Sequence, residues 1–339
     1  MTDFHLLITD WYRLNKRELP WRFTNDPYKI WLSEIILQQT RVDQGLNYYL
    51  KFIKNYPTVF DLASADEQQV LKDWQGLGYY SRARNLHSTA KSIVNDFNGV
   101  FPSNYLQIIK LKGVGEYTAA AIASFAFNES RAVVDGNVYR VLSRYFDIDL
   151  PIDSTSGKKY FSELANELIH PTNPADHNQA IMELGALVCK PAQPSCPTCP
   201  LNSSCKALEN QNISIRPVKV KKTKVRNRYF SFLVFENADE LIIEKRTGKD
   251  IWSNLFQFPL FETEEPARVE AIISVTGTEP DFYSEEIIHI LSHQRLHARF
   301  YHFEQLPSKL NQGWIKIKKV ELDNYPLPRL IDRYLENRI

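Results

Sequence analysis

The hydrophobic period of this chain changes once along its length. From residue 1 to about 212, apolar residues recur at helical spacing. Tyr28–Ile53 carries Ile30, Leu37, Leu50 and Ile53 on that spacing, and the rhythm returns at 65–97, 117–128, 138–146, 158–169 and 176–188. Pro57, Pro102, Gly113, Gly115, Asp135 and Pro171 punctuate these stretches where a helix must stop or be capped. The pattern predicts an all-α amino-terminal domain. Beyond it the period falls to two. Tyr229–Phe235, Glu240–Lys245, Ile287–Leu291 and Leu296–Phe303 are rich in β-branched and aromatic residues and predict strands, with helices near 265–274 and 328–338. The second domain is therefore expected to be α+β. Residues 216–228, RPVKVKKTKVRNR, hold seven basic residues and no acid, which suits a solvated spacer or an arm that contacts phosphate. The predicted division is a helical domain at 1–212, a basic linker at 213–227 and a second domain at 228–339.

Composition narrows the class only a little. The 339 residues suffice for two domains, and 43% hydrophobic residues suit packed cores. Lys and Arg number 41 against 40 Asp and Glu, so net charge announces no nucleic-acid partner and only local clustering can. The first 22 residues mix Asp, His, Arg and Lys with apolar residues, unlike a signal peptide. No run approaches the ~18 apolar residues of a membrane span. A cytoplasmic protein with no membrane partner is expected, nucleoid-associated in a bacterium. A reducing compartment also disfavours disulfides.

The four cysteines, Cys189, Cys196, Cys199 and Cys205, form one C-x6-C-x2-C-x5-C cluster. Pro191, Pro194, Pro197 and Pro200 keep the segment from forming one helix, so it can wrap a metal. Four thiolates this close suit either zinc or a [4Fe–4S] cluster. The spacing is similar to the cluster loop of the endonuclease III and MutY glycosylase superfamily. The resemblance implies a helix-hairpin-helix glycosylase domain carrying a [4Fe–4S] cluster on residues 189–205, with a structural rather than catalytic role.

Other segments extend the resemblance over nearly the whole chain. Leu111–Ala119, LKGVGEYTA, sets Gly113 and Gly115 before a helix start, where exposed N–H groups make an anion site. It resembles a hairpin that grips a DNA phosphate without reading sequence, although an ordinary helical corner has the same pattern. Gly76–Arg84, GLGYYSRAR, suits a turn that wedges an aromatic into a base stack, or core tyrosines beside surface arginines. Lys112 stands where the family commonly has proline, which bears on turn rigidity rather than chemistry.

Glu34, in PYKIWLSEIILQQT, shares a polar stripe with Gln38 and Arg41, as a solvated helix face would. Ile30, Trp31, Ile35 and Leu37 nevertheless bracket it, and an apolar pocket would raise its carboxyl toward neutrality, as a general acid requires. Asp135, in AVVDGNVYRVL, reads as a helix N-cap that could also turn an oxygen into a cleft. Both segments resemble the catalytic segments of the MutY family. That resemblance implies that Glu34 protonates an adenine N7, that Asp135 stabilises the sugar cation, and that Asn137 supports it. It implies that Gln39 and Tyr79 enter the DNA near a damaged guanine, and that Trp21, Arg22 and Gln179 line an adenine pocket. Bifunctional relatives carry lysine at the position of Tyr117, and tyrosine cannot form their imine, so hydrolysis by water with little strand cleavage is expected.

Residues 228–339 resemble a Nudix-like domain that reads 8-oxoguanine, through Trp252–Pro259, WSNLFQFP, and through Ile290–His293, where Leu291 replaces a phenylalanine. Ser292 and His293 would hydrogen-bond the oxidised base. A Nudix hydrolase is disfavoured by the missing Glu-rich box. A pyrimidine-lesion lyase is disfavoured by Tyr117 and the long second domain, and a non-catalytic DNA-binding module would be indifferent to loss of Glu34 and Asp135. The resemblance implies a monomeric enzyme that acts on double-stranded DNA containing adenine opposite 8-oxoguanine or guanine.

Overall fold

The computed structural model describes residues 2–220 and 225–337. Residues 221–224 of the expected basic arm lie outside the described residues. The chain divides into two compact units, one of Met1–Ala63 with Ser88–Lys221 and one of Ser64–His87 with Lys222–Ile339. Among the described residues no helix is long and apolar enough to cross a membrane.

The first unit is helical. Its principal helices are Thr2–Asn15, Pro27–Leu37, Val42–Asn55, Glu116–Phe127, Gly136–Tyr145, Thr155–Leu168 and Pro174–Leu187, and it takes in most of Ser81–Phe97. Glu116–Phe127 lies at the centre. Its run Ala119–Ala123 is wholly buried, and such small side chains let Pro27–Leu37 and Pro174–Leu187 approach on either side. Caps fix the helix starts. Asp26, Asn104, Asp135, Ser154 and Asn173 each accept from a backbone N–H of the first turn. The apolar stretch 28–53 is two helices rather than one, because Gln38–Arg41 leaves helical geometry and Gln39 takes φ +56°.

The second unit contains two sheets. Its strands are β1 (Arg226–Phe235), β2 (Glu240–Lys245), β3 (Phe256–Gln257), β4 (Leu260–Thr263), β5 (Phe282–Tyr283), β6 (Ile287–Ile290), β7 (Gln294–Phe303) and β8 (Trp314–Lys318). One sheet runs β4-β1-β7-β5, with β6 also on β7, and the other runs β3-β2-β8. β1 and β7 pair in parallel from Arg226↔Gln294 to Phe235↔Phe303, and the other pairings are antiparallel. Leu233, Phe235, Ile242, Ile272, Tyr301 and Phe303 form a buried cluster beneath them. The amino-terminal segment of this unit is tied in by hydrogen bonds. Asn254 Nδ2 donates to Glu67 Oε1 (2.7 Å), Arg84 Nη1 to the Ser253 carbonyl (2.6 Å), and the Tyr80 hydroxyl to the Leu327 carbonyl (3.1 Å). Sequence periodicity gave no hint of this grouping. The predicted fold class, an all-α glycosylase-like domain followed by an α+β Nudix-like one, is the class observed.

Candidate active site

Three helices of the first unit carry the candidate catalytic residues. Pro27–Leu37 presents Glu34, Glu116–Phe127 presents Tyr117 in its first turn, and Gly136–Tyr145 starts at its cap, Asp135. Glu34 is only 7% exposed, so the solvated-stripe alternative does not hold for it. The Tyr117 hydroxyl donates to Met182 Sδ (3.4 Å) and lies close enough to Glu34 to favour its charged form. Asp135 Oδ1 accepts from the N–H groups of Asn137 (2.9 Å) and Val138 (2.8 Å), and Oδ2 accepts from Asn137 Nδ2 (2.8 Å). Asp135 is therefore a helix cap as well as a member of this group.

The electrostatics separate the two carboxyls. Burial pushes Glu34 up to about 7, and the Asp135 charge adds to the push while Tyr117 and the Arg22 charge pull against it. Burial also raises Asp135, but three hydrogen bonds and Arg140 favour its charged form. Burial, then the Glu34 and Asp135 charges, hold the Tyr117 phenol well above its ordinary value, so it remains a neutral donor. The result is a readily protonated Glu34 beside a carboxyl, Asp135, whose rise on burial its hydrogen-bond donors and Arg140 oppose. Two carboxyls in such contrasting surroundings can divide the roles of acid and charge stabiliser.

The expected adenine-pocket residues lie on the same unit. Arg22 Nε reaches Gln179 Oε1 (3.3 Å), and Arg22 is close enough to Glu34 to lower it. Trp21 is buried, edge-on to Tyr49. Gln39, exposed at positive φ, follows the Glu34 helix. The hairpin has the geometry its glycines suggest. Gly113 takes φ +76°, Gly115 caps the Glu116 helix with no side chain, and Leu111 and Val114 anchor it in the core.

Tyr79, Ser292 and His293 belong to the second unit. They line one cleft of about 390 Å³, together with Trp252, His289 and Leu291. Tyr79 sits at φ +47° and is 43% exposed, a conformation costly for a bulky residue. Ser292 Oγ lies 3.2 Å from His293 Nδ1, and both residues are exposed.

All four cysteines line one cavity with Val141, Arg144 and Leu184. Burial raises Cys199 to about 11 and raises Cys196 and Cys205 as well. Arg144 Nη1 donates to Cys189 Sγ (3.4 Å) and to the Lys190 carbonyl (2.7 Å). Among the described residues no group of three or more His, Cys, Asp or Glu stands as ligands to a single metal ion.

Sequence reading missed three members of the site. Arg140 donates to Asn137 Oδ1 (2.8 Å) and to the Cys189 and Gly185 carbonyls, and it stands three residues after Asn137, so helical spacing could have found it. The other two, Glu183 and Arg17, form an ion pair (2.6 Å) that joins residues far apart in sequence. Gly185 packs against this structure. A Cβ there would lie 2.6 Å from Asn137 Cβ and 3.0 Å from its Cα. Gly185→Ala should destabilise the fold by about 1–3 kcal/mol and disturb the Asp135 cap. Denaturation midpoint and base release should therefore fall together; a variant with wild-type values of both would contradict the packing argument.

Residues 32–171 match the HhH-GPD superfamily of base excision DNA repair proteins, and 231–337 match the NUDIX domain family. The chain is 37% identical over 326 residues to an adenine DNA glycosylase of Buchnera aphidicola subsp. Baizongia pistaciae, covering 94% of this chain and 88% of that one. It is 44% identical over 217 residues to the adenine DNA glycosylase of Homo sapiens, covering 61% of this chain and 40% of that one. A solved thermostable thymine-DNA glycosylase superimposes with TM-score 0.58 at 32% identity, over 62% of this chain and 96% of that one.

Proposed function

Since the chain belongs to the adenine DNA glycosylase family of base excision repair, we propose that its substrate is adenine mispaired with 8-oxoguanine or guanine and that it hydrolyses the N-glycosidic bond without cutting the strand. The observation that carries this reading is the burial of Glu34, 7% exposed, near Tyr117 and Asp135, which pushes its carboxyl up to about 7. The adenine leaves the stack and enters the cleft. Glu34 donates its proton to N7, and the C1′–N9 bond breaks as neutral adenine departs. Asp135 faces the oxocarbenium-like sugar, held in place by Asn137 and the helix start. Water adds to C1′, and its proton returns to the carboxylates. Tyr117 orients Glu34 and offers no amine for an imine.

The second-unit cleft is the proposed reader of the opposite base. 8-Oxoguanine carries N7–H and a C8 carbonyl where guanine has a bare N7 acceptor. Ser292 and His293 offer the acceptor and donor for that difference. Leu291 supplies apolar contact but no ring, and Trp252 and Tyr79 supply aromatic surface in the same cleft. Gly113 and Gly115 present N–H groups for a backbone phosphate. Single-turnover base release from duplexes with A:8-oxoguanine, A:G, A:T and thymine glycol tests the whole reading. Adenine should leave only the first two, and release of thymine glycol would point instead to a pyrimidine-lesion enzyme.

Cys189, Cys196, Cys199 and Cys205 are the proposed holders of a [4Fe–4S] cluster. Four half-buried thiols around one cavity, with Arg144 donating to Cys189 Sγ, suit a polyanionic sulfur cage. Such a group would supply structural cross-linking of residues 189–205. About four iron and four sulfide per chain are expected for a [4Fe–4S] centre. Cys199→Ser should lower both and destabilise the fold; zinc alone in the purified protein would refute the cluster.

A further inference from the structure

The least exposed carboxylate among the described residues of the first unit has no part in the proposed proton transfer. Glu183 lies on the Pro174–Leu187 helix with its side chain 1% exposed. It accepts two forked arginines. Arg17 gives it Nε (2.9 Å), Nη2 (2.6 Å) and its backbone N–H (2.9 Å), and Arg22 gives it Nη1 (2.9 Å) and Nη2 (2.7 Å). Arg22 is further fixed by donating Nη1 to the Arg17 carbonyl (2.9 Å) and Nε to Gln179, and it lies over the Tyr12 ring at 5.5 Å. Burial works against the Glu183 charge, yet the two arginines hold the carboxyl down at about 2. A bidentate double clamp of this kind leaves Arg22 one orientation.

We propose that Glu183 is a positioning residue: its carboxylate locks Arg22 against Gln179 and offsets the Arg22 charge at the acid site. This rests on the reading of Glu34 as the acid. The groups facing the two carboxyls are Tyr12 from the first helix, Arg17 and Arg22 after it, Tyr117, and Asp135; Asp43 acts on Arg17 and Asp176 on Tyr12. Of these, Arg22 alone is positive at Glu34, and its field pulls the acid toward ionisation. With Glu183 ionised, its negative charge opposes that field. Without it, Arg22 is a buried cation left with the Arg17 carbonyl and Gln179 Oε1 as acceptors, and its field at Glu34 is less opposed.

The test is the pH profile of single-turnover adenine release. Glu183→Gln should move the alkaline limb down by about one unit, which is roughly a tenfold loss at pH 8 with little change near pH 6. Glu183→Asp keeps the charge and should keep the limb. Arg17→Gln removes the competing cation from a partly exposed position, leaves Glu183 wholly to Arg22, and should move the limb upward. A limb that stays put in Glu183→Gln, or a loss by one factor at every pH, overturns the proposal. If Glu183→Gln does not fold, Arg17→Gln decides: an unmoved or lowered limb overturns it. A wild-type protein that releases no adenine from any mispair overturns the parent reading as well, whereas normal wild-type release with unmoved limbs overturns this proposal alone.

Discussion

Glu34→Gln is expected to reduce adenine release by roughly 10²–10⁴-fold, the usual contribution of general acid catalysis, while duplex binding survives. Glutamine fits the same space and can still accept from Tyr117, but it has no proton to give N7. Binding draws mainly on phosphate contacts far more numerous than this one side chain. In the wild type the acid form exists below about 7, the value to which burial raises Glu34, so release should decline as pH rises through that region. The variant should lose that limb along with its rate. A second consequence has the opposite sign for stability. A carboxyl raised from 4.5 to about 7 on folding imposes no penalty below its unfolded value and the full penalty above its folded one. That penalty is roughly 3 kcal/mol. Glu34→Gln should therefore be more stable than wild type at pH 8 and close to it at pH 4.5, as read from denaturant midpoints. Normal turnover in Glu34→Gln would remove this residue from the mechanism. Equal stability of the two proteins at pH 8 would mean that the site is wetter than its burial suggests.

The parts of this molecule legible in sequence were those governed by periodicity and by short motifs. The helix spacing, the switch to strands after the basic stretch, and β2 at Glu240–Lys245 follow from the alternation of side chains alone. The interruptions do not. Gln39 breaks a helical stretch at positive φ without being glycine or having one beside it, so no propensity announces that turn, whereas Gly76 and Gly78 signal the one at Tyr79. β5, with both residues exposed, and the two-residue β3 have no alternation to read. At the site, Glu34 looked like a member of a solvated stripe with Gln38 and Arg41. Its burial arises because the Glu116–Phe127 helix, with its small alanine face, packs against it from a distance in sequence. Glu183 was invisible for a related reason. Its partners, Arg17 and Arg22, are more than 160 residues away, and one polar residue on a buried helix carries no local signature. Local spacing finds caps and ligand clusters; it cannot find ion pairs that only tertiary packing creates.

Tyr117→Lys is expected to form a covalent DNA adduct that the wild type is expected not to form. The tyrosine oxygen sits where a lysine amine of similar reach would lie, beside Glu34 and close to Asp135. Burial disfavours an ammonium, while the two neighbouring carboxyls favour it. A fraction of the amine should be neutral near pH 8, enough to attack C1′ of the sugar cation once adenine has gone. Nitrogen then forms the C1′ bond in place of water, and loss of the ring oxygen bond gives an imine. The same change removes the hydroxyl that orients Glu34, so adenine release itself should slow. Adduct yield must therefore be scored against the amount of base released rather than against total substrate. Borohydride reduction should trap an enzyme–DNA adduct in the variant and none in the wild type, and strand nicking should accompany it. An adduct from the wild type would disprove simple hydrolysis. A variant that releases adenine yet yields no trapped species would show that the amine cannot reach C1′, and that Tyr117 faces the acid rather than the sugar.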